Sequence, residues 1–197
     1  ENVGMQALRE ASNAVLGEPF SDERFQRFLG RSEASFFADM ASVYGLEATT
    51  EIEARYHKAY LPLLTSLEPL PGVHQVVPRL AAIAPIMVVS GSTRAQIQGY
   101  LAAQGLTNWV HSILGCEDYQ RGKPDPQPYL LAAALLGVSP SKSVAFEDSD
   151  VGVQSGRAAG MRTIALRCGN PAGRYHLRDA DLVLESFIEL EADHLQI

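Results

Sequence analysis

The stretch Ser143-Val144-Ala145-Phe146-Glu147-Asp148-Ser149-Asp150-Val151-Gly152-Val153-Gln154-Ser155-Gly156-Arg157-Ala158-Ala159-Gly160-Met161 decides the fold. A short apolar run, Ser143–Phe146, breaks at two adjacent carboxylates. A helix follows from Val151 to Ala159, Gly160 ends it, and a second apolar run begins at Thr163 and closes at Leu166. Strands that are apolar along their whole length are buried on both faces, as in a parallel sheet covered by helices. In open sheets of that kind ligands bind beyond the carboxyl ends of the strands. The step from Phe146 to Glu147 is therefore a place to look for chemistry.

Working upstream, the same alternation repeats. Val73, Val76, Val77 and Leu80 give a helix, and Pro85-Ile86-Met87-Val88-Val89 is an apolar run ending in Ser90-Gly91-Ser92. A helix to Gly105, a short strand His111–Leu114 and a helix Pro126–Leu136 lead back to Ser143. Two prolines and a glycine in Leu67-Glu68-Pro69-Leu70-Pro71-Gly72 mark a boundary. Before it no strand is expected.

Met5, Leu8, Val15 and Leu16 share one side of a helix ended by Gly17. Ser21 opens a short helix carrying Phe25, Phe28 and Leu29, and Ser32 caps a third with Phe36, Phe37, Met40, Val43 and Tyr44. Thr50-x-x-Glu53 reads as the capping box of a fourth, which Pro62 bends or ends. The expectation is an α/β fold: a mainly parallel sheet core over residues 71–197, preceded by a small all-helical cap over residues 1–70.

Composition narrows the function. The 197 residues carry 16 Lys and Arg against 23 Asp and Glu, a formal charge of −7. That balance argues against a nucleic-acid binder or a partner of anionic membranes. Any anionic ligand must be held by a few local cations or backbone N–H groups. No apolar run approaches the roughly 18–20 residues needed to span a bilayer. Two cysteines, Cys116 and Cys168, make no disulfide framework, and no signal-peptide pattern opens the chain, so a cytoplasmic setting is expected. His57, His74, His111, His176 and His194 show no metal-ligand spacing.

Three expected strand ends carry polar residues with no packing reason to be there. Ser90-Gly91-Ser92-Thr93 offers a hydroxyl, a glycine permitting close backbone approach and a helix start, the parts of a phosphate cradle. Gly122-Lys123-Pro124-Asp125-Pro126 presents one lysine from a loop stiffened by prolines on both sides of Asp125. Glu147 and Asp148 suit a hard cation such as Mg²⁺, which takes oxygen ligands. Each alone also fits a plainer role: a helix N-cap, a solvated lysine, favourable charge at a helix start. Their convergence on one face of one sheet makes coincidence a poor account.

The order Ser90, then Gly122-Lys123-Pro124-Asp125-Pro126, then the run from Glu147 to Met161 resembles the haloacid dehalogenase-like superfamily, closest to its beta-phosphoglucomutase-like phosphatases. The return at Leu70-Pro71-Gly72-Val73 and the helices before it are similar to that group's cap. The resemblance implies a Rossmann-like three-layer core and a Mg²⁺-dependent phosphoryl-transfer site acting on a small phosphorylated metabolite. On that pattern Ser90 hydrogen-bonds the phosphate with help from the N–H of Gly91. Lys123 neutralises phosphate charge and steadies the nucleophile, while Asp148 with Glu147 binds the metal. Arg31, in Phe28-Leu29-Gly30-Arg31-Ser32 between two cap helices, is the candidate for contacting the rest of the substrate.

One departure is large. The family's first motif, D-x-D-G-[TV] at the end of the first core strand, supplies the nucleophilic aspartate and should precede the cap. The first aspartate here is Asp22, already in the helical region, and neither Asp148-Ser149-Asp150 nor Asp179-Ala180-Asp181 has the strand and glycine around it. The chain opens on Glu1 rather than Met, so the motif and its strand are expected upstream of these residues. That strand lies mid-sheet in the family, and its loss would expose two unpaired strand edges. The residues as they stand are expected to bind phosphate without forming the aspartyl-phosphate. A phosphosugar mutase on the same scaffold, or a non-catalytic phosphate-binding protein, is the alternative to the phosphatase.

Overall fold

A computed structural model describes residues 2–18, 21, 23, 33–169 and 175–196 of the chain. Three helices come first: α1 (Asn2–Leu16), α2 (Glu33–Tyr44) and α3 (Leu46–Thr65). They bury one shared cluster of Leu8, Ala11, Phe36, Phe37, Met40 and Ile52. Met40 and Ile52 are fully enclosed, so truncating either to Ala would cost about 2–5 kcal/mol. Tyr56 and Tyr60 stack one turn apart on α3 at 5.0 Å.

Two local readings are corrected here. Helix α3 starts at Leu46, after Gly45 at φ 86°, so Thr50 lies inside it and is no N-cap. The Thr50 hydroxyl instead donates to the carbonyl of Leu46 at 2.9 Å. Glycine supplies the break because its backbone conformation, not a side-chain cap, turns the chain between α2 and α3. Pro62 neither ends the helix nor stops its last turn, which continues to Thr65. The proline lies on the exposed side of the helix. The short helix expected after Ser21, the Ser32 cap and Arg31 fall largely or wholly outside the described residues.

After Gly72 the chain alternates helix and strand: α4 (Val73–Ala81), β1 (Met87–Val89), α5 (Arg94–Ala103), β2 (Ser112–Leu114), α6 (Gln127–Leu136), β3 (Val144–Glu147), α7 (Asp150–Ala158), β4 (Arg162–Leu166) and β5 (Leu182–Leu184). Every pairing is parallel. The fold is α/β, a Rossmann-like core of parallel strands with a helical cap before it. Strand β5 was not anticipated: it is three residues long and follows Asp181 with no apolar lead-in.

The strands form two sheets, β1-β2 and β3-β4-β5. Among the described residues no ladder joins β1 to β3. The consequence shows in burial: Thr163–Leu166 of β4, flanked on both sides, is buried, whereas all of Met87–Val89 is only half-buried. Side chains cross where ladders do not. Val89 packs on a cluster of Tyr129, Ala133, Ala145, Ala159 and Met161, contributed by α6, β3 and the turn after α7.

The helical cap is fastened to the core at its exit. The Gln104 amide, just past α5, donates to the carbonyls of Thr65 and Leu67 at 3.3 and 3.0 Å. The Thr65 carbonyl belongs to the last turn of α3, whose carbonyls have no partner within the helix, and Leu67 follows just beyond it.

Candidate active site

The carboxyl ends of β1 and β3 carry the residues singled out from sequence. At the end of β1 the Ser90 N–H donates to Leu114 of β2 at 3.0 Å, extending the strand pairing by one residue. The Ser90 hydroxyl accepts from the N–H of Ser92 at 3.1 Å, which folds the turn. Gly91, at its tip, is exposed. Thr93 then caps α5 in a capping box with Gln96: the Thr93 N–H donates to the Gln96 side chain at 2.9 Å, and Gln96 N–H returns to the Thr93 hydroxyl at 3.3 Å.

The lysine loop is pinned at several points. The Gln127 side chain accepts from the N–H groups of Gln120 and Arg121 at 3.1 and 2.6 Å. Asp125 accepts from the Gln127 N–H at 2.8 Å, joining the loop to the first turn of α6, and pairs with Arg121 at 2.8 Å. The Ser155 hydroxyl of α7 donates to the Asp125 carbonyl at 2.6 Å. A loop held this way presents Lys123 from a fixed base.

Lys123 spans the two sheets. Its ammonium donates to the carbonyl of Val89, beside Ser90, at 3.2 Å, and to the carboxylate of Glu147, beside Asp148. The Glu147 side chain is 5 % exposed, a buried charge that folding tolerates only if paired and hydrogen-bonded. A second donor is present: the hydroxyl of Tyr129 also donates to the same Glu147 oxygen. The Lys123 ammonium lies 5.1 Å from the centre of the Tyr129 ring, within reach of a cation–π contact. Burial first, then the Glu147 carboxylate and Asp148, push the Tyr129 hydroxyl well above the ordinary tyrosine range. It stays a proton donor.

Gly152 completes the pocket around Glu147. A Cβ at that position would lie 1.9 Å from Oε2 of Glu147, so only glycine leaves room for the carboxylate against the first turn of α7. Ser149 caps α7, accepting from the Gly152 N–H at 3.2 Å. Asp150 is drawn away to the chain after β4, where it accepts from Leu177 and His176 N–H groups at 2.8 and 3.3 Å.

The donors at the end of β3 match a hard cation in kind, since Asp148 and Glu147 offer carboxylate oxygens. They match it only in part by number. One Glu147 oxygen is committed to Lys123 and Tyr129, and the described residues hold no group of three or more His, Cys, Asp or Glu around a possible cation position. Magnesium accepts such a sparse protein set, with one or two carboxylates completed by phosphate oxygens and water.

Sequence reasoning missed Tyr129 and Tyr119. Tyr129 sits in the apolar run of α6 and looks like core. Tyr119, half-buried, donates its hydroxyl to the Ser90 carbonyl at 2.7 Å. Burial first, then the nearby Cys116, Glu117 and Asp118, push its pKa up to about 12. A tyrosine placed four residues before the lysine was the available signal.

Comparison with known proteins identifies the family. The family model described as a haloacid dehalogenase-like hydrolase matches residues 2–160. The chain belongs to the haloacid dehalogenase-like hydrolase family. It is 34 % identical over 168 residues to Hexitol phosphatase A of Escherichia coli, covering 82 % of this chain and 68 % of that protein. It is 26 % identical over 181 residues to Validoxylamine A 7'-phosphate phosphatase of Streptomyces hygroscopicus, covering 91 % and 84 % respectively. The fold is similar to that of CbbY from Rhodobacter sphaeroides, crystallised with phosphate, at a TM-score of 0.82 and 21 % identity, covering 100 % of this chain and 92 % of that one.

Proposed function

We propose that this chain is the phosphate- and metal-binding body of a Mg²⁺-dependent phosphatase for a small phosphorylated metabolite of the sugar-phosphate type. The observation that carries the reading is the Lys123 ammonium, held between the Val89 carbonyl beside Ser90 and the Glu147 carboxylate beside Asp148. One cation thus joins the hydroxyl turn to the acidic pair. The relatives' names support the substrate class: one is Hexitol phosphatase A and another Validoxylamine A 7'-phosphate phosphatase.

The roles follow from the chemistry of phosphoryl transfer, in which spread-out negative charge must be stabilised by positioned cations and dipoles. The Ser90 hydroxyl and the Gly91 N–H hold phosphate oxygens. Lys123 neutralises charge on the transferred group. Asp148, with Glu147, holds Mg²⁺, which when bound supplies further positive charge to the phosphate. Arg31, carried by the cap of residues 1–70, contacts the remainder of the substrate over the core of residues 71–197. The reaction runs through an aspartyl-phosphate whose aspartate belongs to a D-x-D-G motif that these 197 residues do not contain. By themselves they bind phosphate without turning it over. A cytoplasmic location fits a metabolite substrate, and among the described residues no helix is long and apolar enough to cross a membrane.

The test is phosphate release from p-nitrophenyl phosphate and from a panel of sugar phosphates with Mg²⁺, using the protein as its gene encodes it. Lys123→Ala and Asp148→Ala should each abolish turnover. Full activity in either variant defeats the assignment.

A further inference from the structure

We infer that Tyr129 is a positioning residue for the phosphate site: it fixes Glu147, and through Glu147 the Lys123 ammonium, in the orientation that faces phosphate. This rests on the phosphatase reading above. Three observations carry it. The first is that Tyr129 and Lys123 donate to the same oxygen of Glu147, which converts a two-point ion pair into a three-point arrangement. A carboxylate held by one donor can rotate about its last torsion; a second donor from a different element stops that rotation.

The second observation is the ring. Lys123 lies over the face of Tyr129, so hydroxyl and ring of one side chain act on both members of the pair. The third is confinement. Tyr129 is 7 % exposed, anchored on α6 among Ala133, Ala145, Ala159 and Met161, and Glu147 is closed from the far side by Gly152. Nothing in apolar packing demands a hydroxyl there; a Phe would fill the same space. The hydroxyl is accounted for by what it does to Glu147.

Lysine charge is worth most where phosphate charge grows, in the transition state, and that benefit depends on placement to a fraction of an ångström. The contact of the Tyr129 hydroxyl is Glu147. It acts through another residue, so its effect must vanish when that residue is gone.

The test is a double-mutant cycle on binding of inorganic phosphate to the protein as its gene encodes it, measured by titration calorimetry with Mg²⁺ present. Tyr129→Phe keeps the ring and should weaken phosphate by about five- to tenfold, less than the whole of a charge-assisted hydrogen bond because only the positioning of Lys123 is lost. Lys123→Met should weaken it by at least tenfold, on the order expected for a cation facing phosphate. The double variant should bind no worse than Lys123→Met alone. Losses that multiply in the double variant, or phosphate affinity of Tyr129→Phe within about twofold of the parent, overturn the inference. A parent chain that binds no phosphate defeats the functional reading itself, which is a separate result. Should Tyr129→Phe fail to fold, proton NMR of the unmutated chain decides. A Tyr129 hydroxyl proton in slow exchange and close to Lys123 supports the inference, and one exchanging as fast as an exposed tyrosine overturns it.

Discussion

The Tyr119 hydroxyl donates to the Ser90 carbonyl across 2.7 Å, tying the loop that carries the lysine to the turn that carries the phosphate-facing hydroxyl. Removing it frees the strand-end carbonyl without removing any group that meets substrate. Tyr119→Phe is therefore expected to lower kcat/KM for p-nitrophenyl phosphate by roughly three- to tenfold, equivalent to one neutral hydrogen bond. Steady-state kinetics on the protein as its gene encodes it, with and without the substitution, check it.

The same tyrosine makes an alkaline prediction. Its pKa is raised to about 12 in the folded chain, mainly by burial, so the folded state holds the proton more tightly than the unfolded one. The stability this contributes is complete below the unfolded value near 10 and is lost as pH rises towards 12. Thermal melts from pH 9 to 11.5 should show a steeper alkaline fall for the parent than for Tyr119→Phe.

Acid acts on a different residue. Burial pushes the Asp181 carboxyl up, but the N–H of Thr163 and the Arg157 guanidinium pull it down further, and it settles below the usual aspartate value. A depressed carboxyl contributes stability that is present above its unfolded pKa and lost as pH falls through its folded one. Asp181→Asn should cost about 1–2 kcal/mol at pH 7, largely from the weakened contact to the fully buried Thr163. The gap between variant and parent should narrow below about pH 4 in denaturant titrations.

Gly152→Ala sets two effects against each other. Ala in place of Gly within a helix gains up to about 1 kcal/mol. The new methyl, however, would lie 1.9 Å from the Glu147 carboxylate and must expel it from its contacts with Lys123 and Tyr129. Breaking up a buried charged pair costs about 3–5 kcal/mol, so destabilisation wins. The melting temperature should fall and phosphate affinity should drop with it.

Much of this was legible because the chemistry sits where the pattern breaks. Ser90, Glu147 and Asp148 each follow an apolar run, where a polar residue has few packing reasons to be, and Lys123 stands out by the prolines that frame its loop. What stayed hidden obeyed other rules. Tyr129 lies inside an apolar helix, and its hydroxyl has meaning only once Glu147, 18 residues on, is brought beside it. Strand β5 is set by pairing of Leu182–Leu184 with β4, not by any periodicity of its own. The Thr50-x-x-Glu53 spacing satisfied the capping rule, yet Gly45 had already set the start of the helix four residues earlier. Spacing records local options, and the tertiary contacts choose among them.

Between β1-β2 and β3-β4-β5 no backbone ladder runs among the described residues, and side chains bridge the two sheets there. Lys123 is the polar strut across that seam, with one end on Val89 and the other on Glu147. A charge placed beside Ser90 and Asp148 therefore acts on the contacts of both sheets through this one side chain.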